Sequence, residues 1–411
     1  AKTVAAPALL LSSAGVLITA GVTGVLCHFI LGFSWLEAFL IGSILGSTDA
    51  ASVFSILRSK KLNLKYGTAS LLELESGSND PWAYMLTTIF LGIMQGNATS
   101  APEIARLLLF QIAFGAIGGV VIALIALVCF RKLNICDSTY GGIFLIAVAL
   151  LAYALPAYFG GNGYLSAYIV GIVLGNSRLR HKVGMVHFFD GITNLVQILV
   201  FFLLGLLSFP SQIPKIIIPA VGVFLFITLV ARPIATVLCL TPFKAPWRQQ
   251  FISAFCGLRG ATSIIFAIVA VVNPAKTDND LFHITFCVVL LSIGLQGSLL
   301  PWVSKKIKMT DDNENVMKTF NDFMEETQIQ FLKLPIGEKH RWIGKSIKNI
   351  HLPPSSRVAM IVRNKLKVLP RGNTIIEDGD MLILSAPEYH DDTGIILNEI
   401  ILEDDHPWCN K

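Results

Sequence analysis

The apolar positions of this chain fall into long unbroken runs up to about residue 304. Beyond that point charge clusters and short alternating segments take over. A helix needs about 20 apolar residues to cross a bilayer core. Ten runs meet or approach that length: 8–31, 36–58, 66–95, 104–130, 140–158, 163–176, 188–207, 215–239, 250–272 and 282–304. The pattern predicts an all-α polytopic membrane protein with a small α/β domain attached at its C-terminal end. Three runs are interrupted by polar residues. Run 36–58 holds Thr48 and Asp49, run 66–95 holds Glu73, Glu75, Asn79, Asp80 and Pro81, and run 250–272 holds Gly257, Arg259 and Gly260. Run 163–176 is short and glycine-punctuated.

Composition agrees. Of 411 residues 54% are hydrophobic and 14% charged, with a mean hydropathy of +0.65; soluble domains carry roughly 25% charge. The seven cysteines are scattered without a CxxC pair, which argues against a disulfide framework or a zinc site. The opening lacks the basic segment and cleavage site of a signal peptide. Basic residues mark every second connection: Arg58, Lys60, Lys61 and Lys65, then Arg131 and Lys132, then Arg178, Arg180 and Lys182, then Lys244 and Arg248, and finally Lys305, Lys306 and Lys308. This positive-inside bias fits ten spans and puts both chain ends in the cytoplasm of a bacterial inner-membrane protein. In that setting the basic loops set topology and are not a nucleic-acid surface.

An ionisable side chain inside a bilayer costs about 2.5–3.5 kcal/mol at least and marks a functional site. In LLELESGSNDPW (71–82), helical spacing puts Ser76 on the face of Asp80 and Glu75 on the neighbouring face with Asn79. Oxygen ligands of this kind suit a hard monovalent cation. GSTDAAS (46–52) and CGLRGATS (256–263) read as helix breaks whose unwound carbonyls line a cavity. Two such breaks, one early and one late, point to an inverted-repeat transporter with its site near the midplane. A buried arginine needs a partner, and Glu75 is the carboxylate expected to pair with Arg259. Asp49 either joins the site or stabilises its broken helix. Arg232 is expected to snorkel toward the cytoplasm. Glu73 and the histidines near run ends (His28, His181, His187, His283) are expected at the surface. A carboxylate withdrawn from water holds a proton or a cation, not both, so competition at Asp80 with alternating access gives obligatory exchange. Asn79 leaves one titratable carboxylate at its pair with Asp80. One-for-one, electroneutral exchange follows if Glu75 is neutralised by Arg259.

The motifs GSTDAA (46–51), ELESGSNDP (73–81) and GLRGATS (257–263), with GNGYLSAYIVGIVLGN (161–176) and ARP (231–233), resemble the NhaP branch of the cation:proton antiporters. The resemblance covers nearly all of residues 1–304. It implies an inverted-repeat antiporter fold, with Asp80 as the ion- and proton-binding aspartate and Asn79 as its asparagine partner. It also implies Thr48, Asp49 and Ser76 around the ion, and Glu75 and Arg259 as a structural ion pair. Such proteins are homodimers with a rigid dimer domain and a moving core domain. They usually have thirteen spans, so the resemblance implies three further N-terminal spans, absent here, that belong to the first repeat and the dimer interface.

Residues 305–327 read as a polar linker and 389–411 as an acidic tail. Between them, 328–388 resembles the C-terminal RCK (TrkA-C) domain. Strands are expected at 331–336, 357–363 and 381–385, a short helix at 342–350, and a turn at Asp378-Gly379. That resemblance implies a dimerising regulatory domain, open to a small-molecule or nucleotide effector, in a potassium system. No GxGxxG is present. Potassium is therefore the expected cation, with sodium the alternative. A channel gated by the RCK domain would want a carbonyl filter such as TVGYG, and an enzyme a nucleophile–base pair, HExxH or P-loop; none occurs. No cofactor or resident metal is expected.

Overall fold

The computed structural model describes residues 2–60, 62–96, 100–132, 140–177, 179, 182–272, 277–311, 329–337, 340, 342–350, 352, 357–363 and 366–387. The expected linker, beyond residue 311, and the acidic tail lie outside the described residues, as do Arg178, Arg180 and His181. The chain divides into two compact units, Ala1–Phe323 and Met324–Lys411.

The first unit is helical. It runs α1 (Lys2–Leu31), α2 (Trp35–Ile44), α3 (Ala50–Ser59), α4 (Thr68–Met94), α5 (Ala101–Lys132), α6 (Tyr140–Tyr158), α7 (Gly163–Asn176) and α8 (Lys182–Leu207). There follow α9 (Ile213–Phe226), a π-turn (Ile227–Ala231), α10 (Arg232–Leu240), α11 (Trp247–Phe255), α12 (Ala261–Val272), α13 (Leu281–Leu291), a second π-turn (Ser292–Gly297) and α14 (Ser298–Lys306). Each of the ten predicted runs is helical, either throughout or as two halves. Runs 36–58 and 250–272 are the two that break open, into α2/α3 and α11/α12. Among the described residues, six helical stretches are long and apolar enough to cross a membrane, and the shorter apolar helices are α2, α3, α7 and α12.

The sequence explains these limits. Ser34 caps α2 by accepting from the Glu37 N–H, and Asp49 caps α3 by accepting from Ser52. Asn162 caps α7 through the Leu165 N–H and is itself fully buried, so this short helix starts inside the protein. The Asn162 amide also donates to the Pro81 carbonyl at 2.8 Å. This bond ties the start of α7 to α4 at its proline. The α1–α2 crossing needs Gly42, where a Cβ would lie 2.4 Å from the Ala20 carbonyl oxygen. Leu40, Ile41, Ile44, Ala83, Phe266 and Val288 fill the core between these helices, while the outward faces of α5 and α8 are apolar and open, as lipid-facing surfaces are.

His283 departs from expectation. It is buried, with Nδ1 donating to Asp280 at 2.7 Å and Nε2 accepting from the Phe209 N–H at 3.0 Å. The run end at which it sits is covered by the turn after α8. At the opposite end of the unit, β1 (Asn63–Leu64) pairs antiparallel with β2 (Thr310–Asp311).

The second unit holds a four-stranded antiparallel sheet of β3 (Ile329–Pro335), β4 (Arg357–Arg363), β5 (Leu366–Val368) and β6 (Met381–Pro387), ordered β3-β6-β4-β5. Leu334, Trp342, Ile361, Ile376, Leu382 and Leu384 form its core. The Asp378-Gly379 turn precedes β6, with Gly379 at φ +77°. The helix expected at 342–350 does not form; only Ile347–Asn349 makes a 3-10 turn. The amides of Gly344, Ile347 and Lys348 instead donate sideways to the carbonyls of Ile376, Thr374 and Gly372, which leaves no ladder along the segment. Arg363 forks onto both Asp380 oxygens at 2.8 Å and also meets Glu377. The guanidinium holds the Asp380 carboxyl below its ordinary range.

Candidate ion-binding site

Residues 45–49 and 256–260 are the two unwound stretches, and they cross. The Asp49 amide donates to the Leu258 carbonyl at 2.8 Å. Gly260 permits the approach, because a Cβ there would fall 2.4 Å from Asp49 Oδ2 and 2.5 Å from Asp49 Cβ. The Asp49 carboxylate turns back onto its own helix, accepting from the Ser52 amide at 3.1 Å and the Ser52 hydroxyl at 2.6 Å. It acts here as the cap of α3.

α4 packs against the crossing and brings its polar face to it. The Asn79 amide donates to Thr48 Oγ1 at 2.5 Å and to Glu75 Oε1 at 3.2 Å, and Thr48 Oγ1 lies 3.4 Å from the same Glu75 oxygen. Donation to a carboxylate fixes which way the amide points, and Asn79 Oδ1 then has no hydrogen-bond partner among the described residues. The Ser76 hydroxyl donates to the Thr48 carbonyl at 2.7 Å and accepts from the Ala50 amide at 3.1 Å, so it stitches the broken backbone to α4. Asp80, half-buried, receives a hydrogen bond of 2.5 Å from Ser47 Oγ, and Thr262, at the start of α12, stands beside the same carboxylate.

The arginines differ from the sequence expectation. Glu75 pairs with Arg232, not Arg259: Nη2 to Oε2 is 2.9 Å, with both side chains almost fully buried. Arg232 therefore does not snorkel. The π-turn 227–231 immediately precedes it and shifts the helical register, and a buried carboxylate meets it inside. Arg259 donates through Nη1 to the carbonyls of Leu45 and Ser47, the latter at 2.8 Å, so it holds the backbone of the opposite break. Unwinding leaves those carbonyls without helical partners, which is why a cation is drawn there. The second π-turn serves the other break: the Ser292 hydroxyl accepts from the Arg259 amide at 3.0 Å, and Gln296 donates to the Phe255 carbonyl at 2.6 Å.

Around the crossing thus stand three acidic residues, Glu75, Asp49 and Asp80, and two arginines, Arg232 and Arg259. One turn further along α4, Tyr84, Tyr164 and Phe266 pack together with ring centroids 5.0–5.8 Å apart. Sequence reasoning missed Ser47, Thr262, Arg232, Ser292 and Gln296. Arg232 had a signal, an arginine followed by proline deep in a long apolar run. The others had only their place inside or beside a break.

The sodium/hydrogen exchanger transmembrane family profile matches residues 2–306. The chain belongs to that family. A TrkA-C domain profile matches residues 332–388 of the same exchanger. Among its relatives, a K(+)/H(+) antiporter NhaP2 from Shewanella oneidensis is 32% identical over 93% of this chain and 67% of its own length. A K(+)/H(+) antiporter NhaP from Alkalimonas amylolytica is 32% identical over 92% of this chain and 66% of its own length. The exchanger thus spans about two thirds of these relatives. The solved sodium proton antiporter MjNhaP1 from Methanocaldococcus jannaschii shares the fold, with a TM-score of 0.63 and 24% identity over 73% of this chain and 78% of that one. The exchanger is a multi-pass membrane cation/proton antiporter of inverted-repeat fold. Its relatives are transporters, not enzymes.

Proposed function

We propose that this antiporter exchanges cytoplasmic potassium for external protons, one for one, by competition at Asp80. Charge supports the reading. With Glu75 and Asp49 balanced by Arg232 and Arg259, the crossing is neutral when Asp80 carries a proton and neutral again when it carries a monovalent cation. It is charged only when Asp80 is empty. An uncompensated charge is costly inside a bilayer, so the empty site is the form least able to reorient. That penalty makes exchange obligatory and leaves both loaded states insensitive to membrane potential. Asn79, Thr48, Ser76 and Asp49 shape the pocket and hold the unwound backbone, and Glu75 with Arg232 supplies the fixed ion pair.

Potassium is chosen over sodium because relatives spanning most of the chain are named K(+)/H(+) antiporters and because a TrkA-C domain is fused to the exchanger. We read that domain as a cytoplasmic regulatory unit on an inner-membrane homodimer, responsive to a small effector. The test is dequenching of a pH-sensitive dye in proteoliposomes on addition of potassium or sodium chloride, with the parent chain and Asp80→Asn. Potassium-driven dequenching that disappears in Asp80→Asn is the expected result. Dequenching by sodium alone reverses the choice of ion. Undiminished exchange by Asp80→Asn overturns the mechanism.

A further inference from the structure

The oxygen bonded to Asp80 from the first break belongs to Ser47, a residue outside the expected ligand set. Ser47 is 1% exposed, and its hydroxyl donates to Asp80 Oδ1. Its carbonyl is held from the other break by Arg259 Nη1 at 2.8 Å. The backbone that carries this hydroxyl is therefore fixed from one side while the hydroxyl faces the carboxylate on the other. Neighbouring hydroxyls are already engaged. Ser76 is bonded to the Thr48 carbonyl and the Ala50 amide, Thr48 to Asn79 and Glu75, and Ser52 to Asp49.

We propose that Ser47 Oγ is a direct ligand of the transported cation and sets how well that cation competes with the proton at Asp80. A hydroxyl has one proton and two lone pairs. Toward an ionised Asp80 it donates. Toward a cation held by Asp80 it rotates and presents a lone pair, with no movement of the backbone that Arg259 fixes. Toward a protonated Asp80 it accepts. Ser47 thus has a partner in all three states, as donor to the carboxylate, as acceptor from the carboxyl, or as ligand of the cation. The neutral crossing supplies no other charge to bind the ion, so each oxygen beside Asp80 weighs directly on affinity. Hard alkali cations are held by just such oxygens.

The inference rests on Asp80 being the exchange site, and the experiment separates the two. Initial exchange rates of the full chain in proteoliposomes are measured against potassium and thallium(I) concentration at fixed pH, for the parent, Ser47→Ala, Ser47→Cys and Asp80→Asn. Losing an oxygen that interacts with a charged partner is expected to raise the apparent KM for potassium about tenfold or more in Ser47→Ala, with the maximal rate little changed. Ser47→Cys keeps the shape but offers soft sulfur. Its potassium KM should rise as in the alanine variant, while that for the softer thallium ion falls back toward the parent's. A KM unchanged in Ser47→Ala, beside an inactive Asp80→Asn, overturns the role of Ser47 and leaves the Asp80 site standing. A fall in maximal rate that is equal in both variants and for both ions also overturns it, because a purely structural serine behaves that way. Full activity of Asp80→Asn removes the premise itself.

Discussion

The assignment of Glu75 to Arg232 can be decided by a double-mutant cycle. The pair is 2.9 Å apart with side chains 1–2% exposed. At an effective dielectric near 20, two unit charges at that separation attract by roughly 6 kcal/mol, an energy that desolvation largely offsets. Removing one partner does not return that balance to zero, because it strands the other as a buried charge. That costs about 3–5 kcal/mol. Glu75→Gln and Arg232→Met are each expected to lower the melting temperature of the detergent-solubilised chain by roughly 6–10 °C. The double variant has no stranded charge and should melt above either single variant, with a coupling of about 3 kcal/mol or more. The same cycle with Arg259→Met should couple weakly to Glu75→Gln, since Arg259 is spent on the Leu45 and Ser47 carbonyls. Thermal shift followed by size-exclusion fluorescence reads both cycles. Coupling of residue 75 to 259 that equals or exceeds its coupling to 232 would refute the assignment.

Gly260→Ala should abolish exchange while leaving insertion intact, because the new Cβ falls within 2.5 Å of Asp49 and drives that cap off α3; dye dequenching beside a normal membrane yield checks it. In the second unit, Arg363→Met should weaken the sheet by about 2 kcal/mol at neutral pH, the loss of hydrogen bonds to a charged group. The pH dependence follows from the depressed Asp380 value. The contribution is complete above the ordinary carboxylate value of about 3.9 and is lost as pH falls through the lower folded-state value. Hydrogen exchange of the β6 amides should therefore differ between parent and variant at pH 7 and converge once the pH falls below the folded-state value.

The helices were legible because lipid solvation leaves a one-dimensional record, a run of apolar residues as long as the membrane is thick. The breaks were legible because Gly46, Thr48, Asp49, Gly257 and Gly260 have no reason to sit in a lipid-facing helix. The pairing of charges was not. Glu75 and two arginines, Arg232 and Arg259, meet within one buried volume, and spacing along the chain does not say which guanidinium reaches the carboxylate. The answer depends on π-turns at 227–231 and 292–297, single-residue changes of register that no hydrophobic period records. Ser47 was obscured for a related reason. In an unwound stretch side-chain direction follows neither the helical nor the strand period, so the motif alone could not rank Ser47 against Thr48. The helix expected at 342–350 failed because the amides of Gly344, Ile347 and Lys348 find partners in the 372–376 loop, leaving only isolated turns along the segment.

The two-residue pairing of β1 with β2 has a mechanical meaning. Asn63 and Leu64 lie in the loop that joins α3 to α4, and so join the halves of the site that carry Thr48 and Asp80. Thr310 and Asp311 lie where the chain leaves α14. Lys65 adds a bond to the Met309 carbonyl at 2.9 Å, and Met309 is anchored in the core beside Leu57, Leu64 and Leu71. Tension on the chain beyond residue 311 is therefore delivered as shear to the α3–α4 loop before it reaches α14.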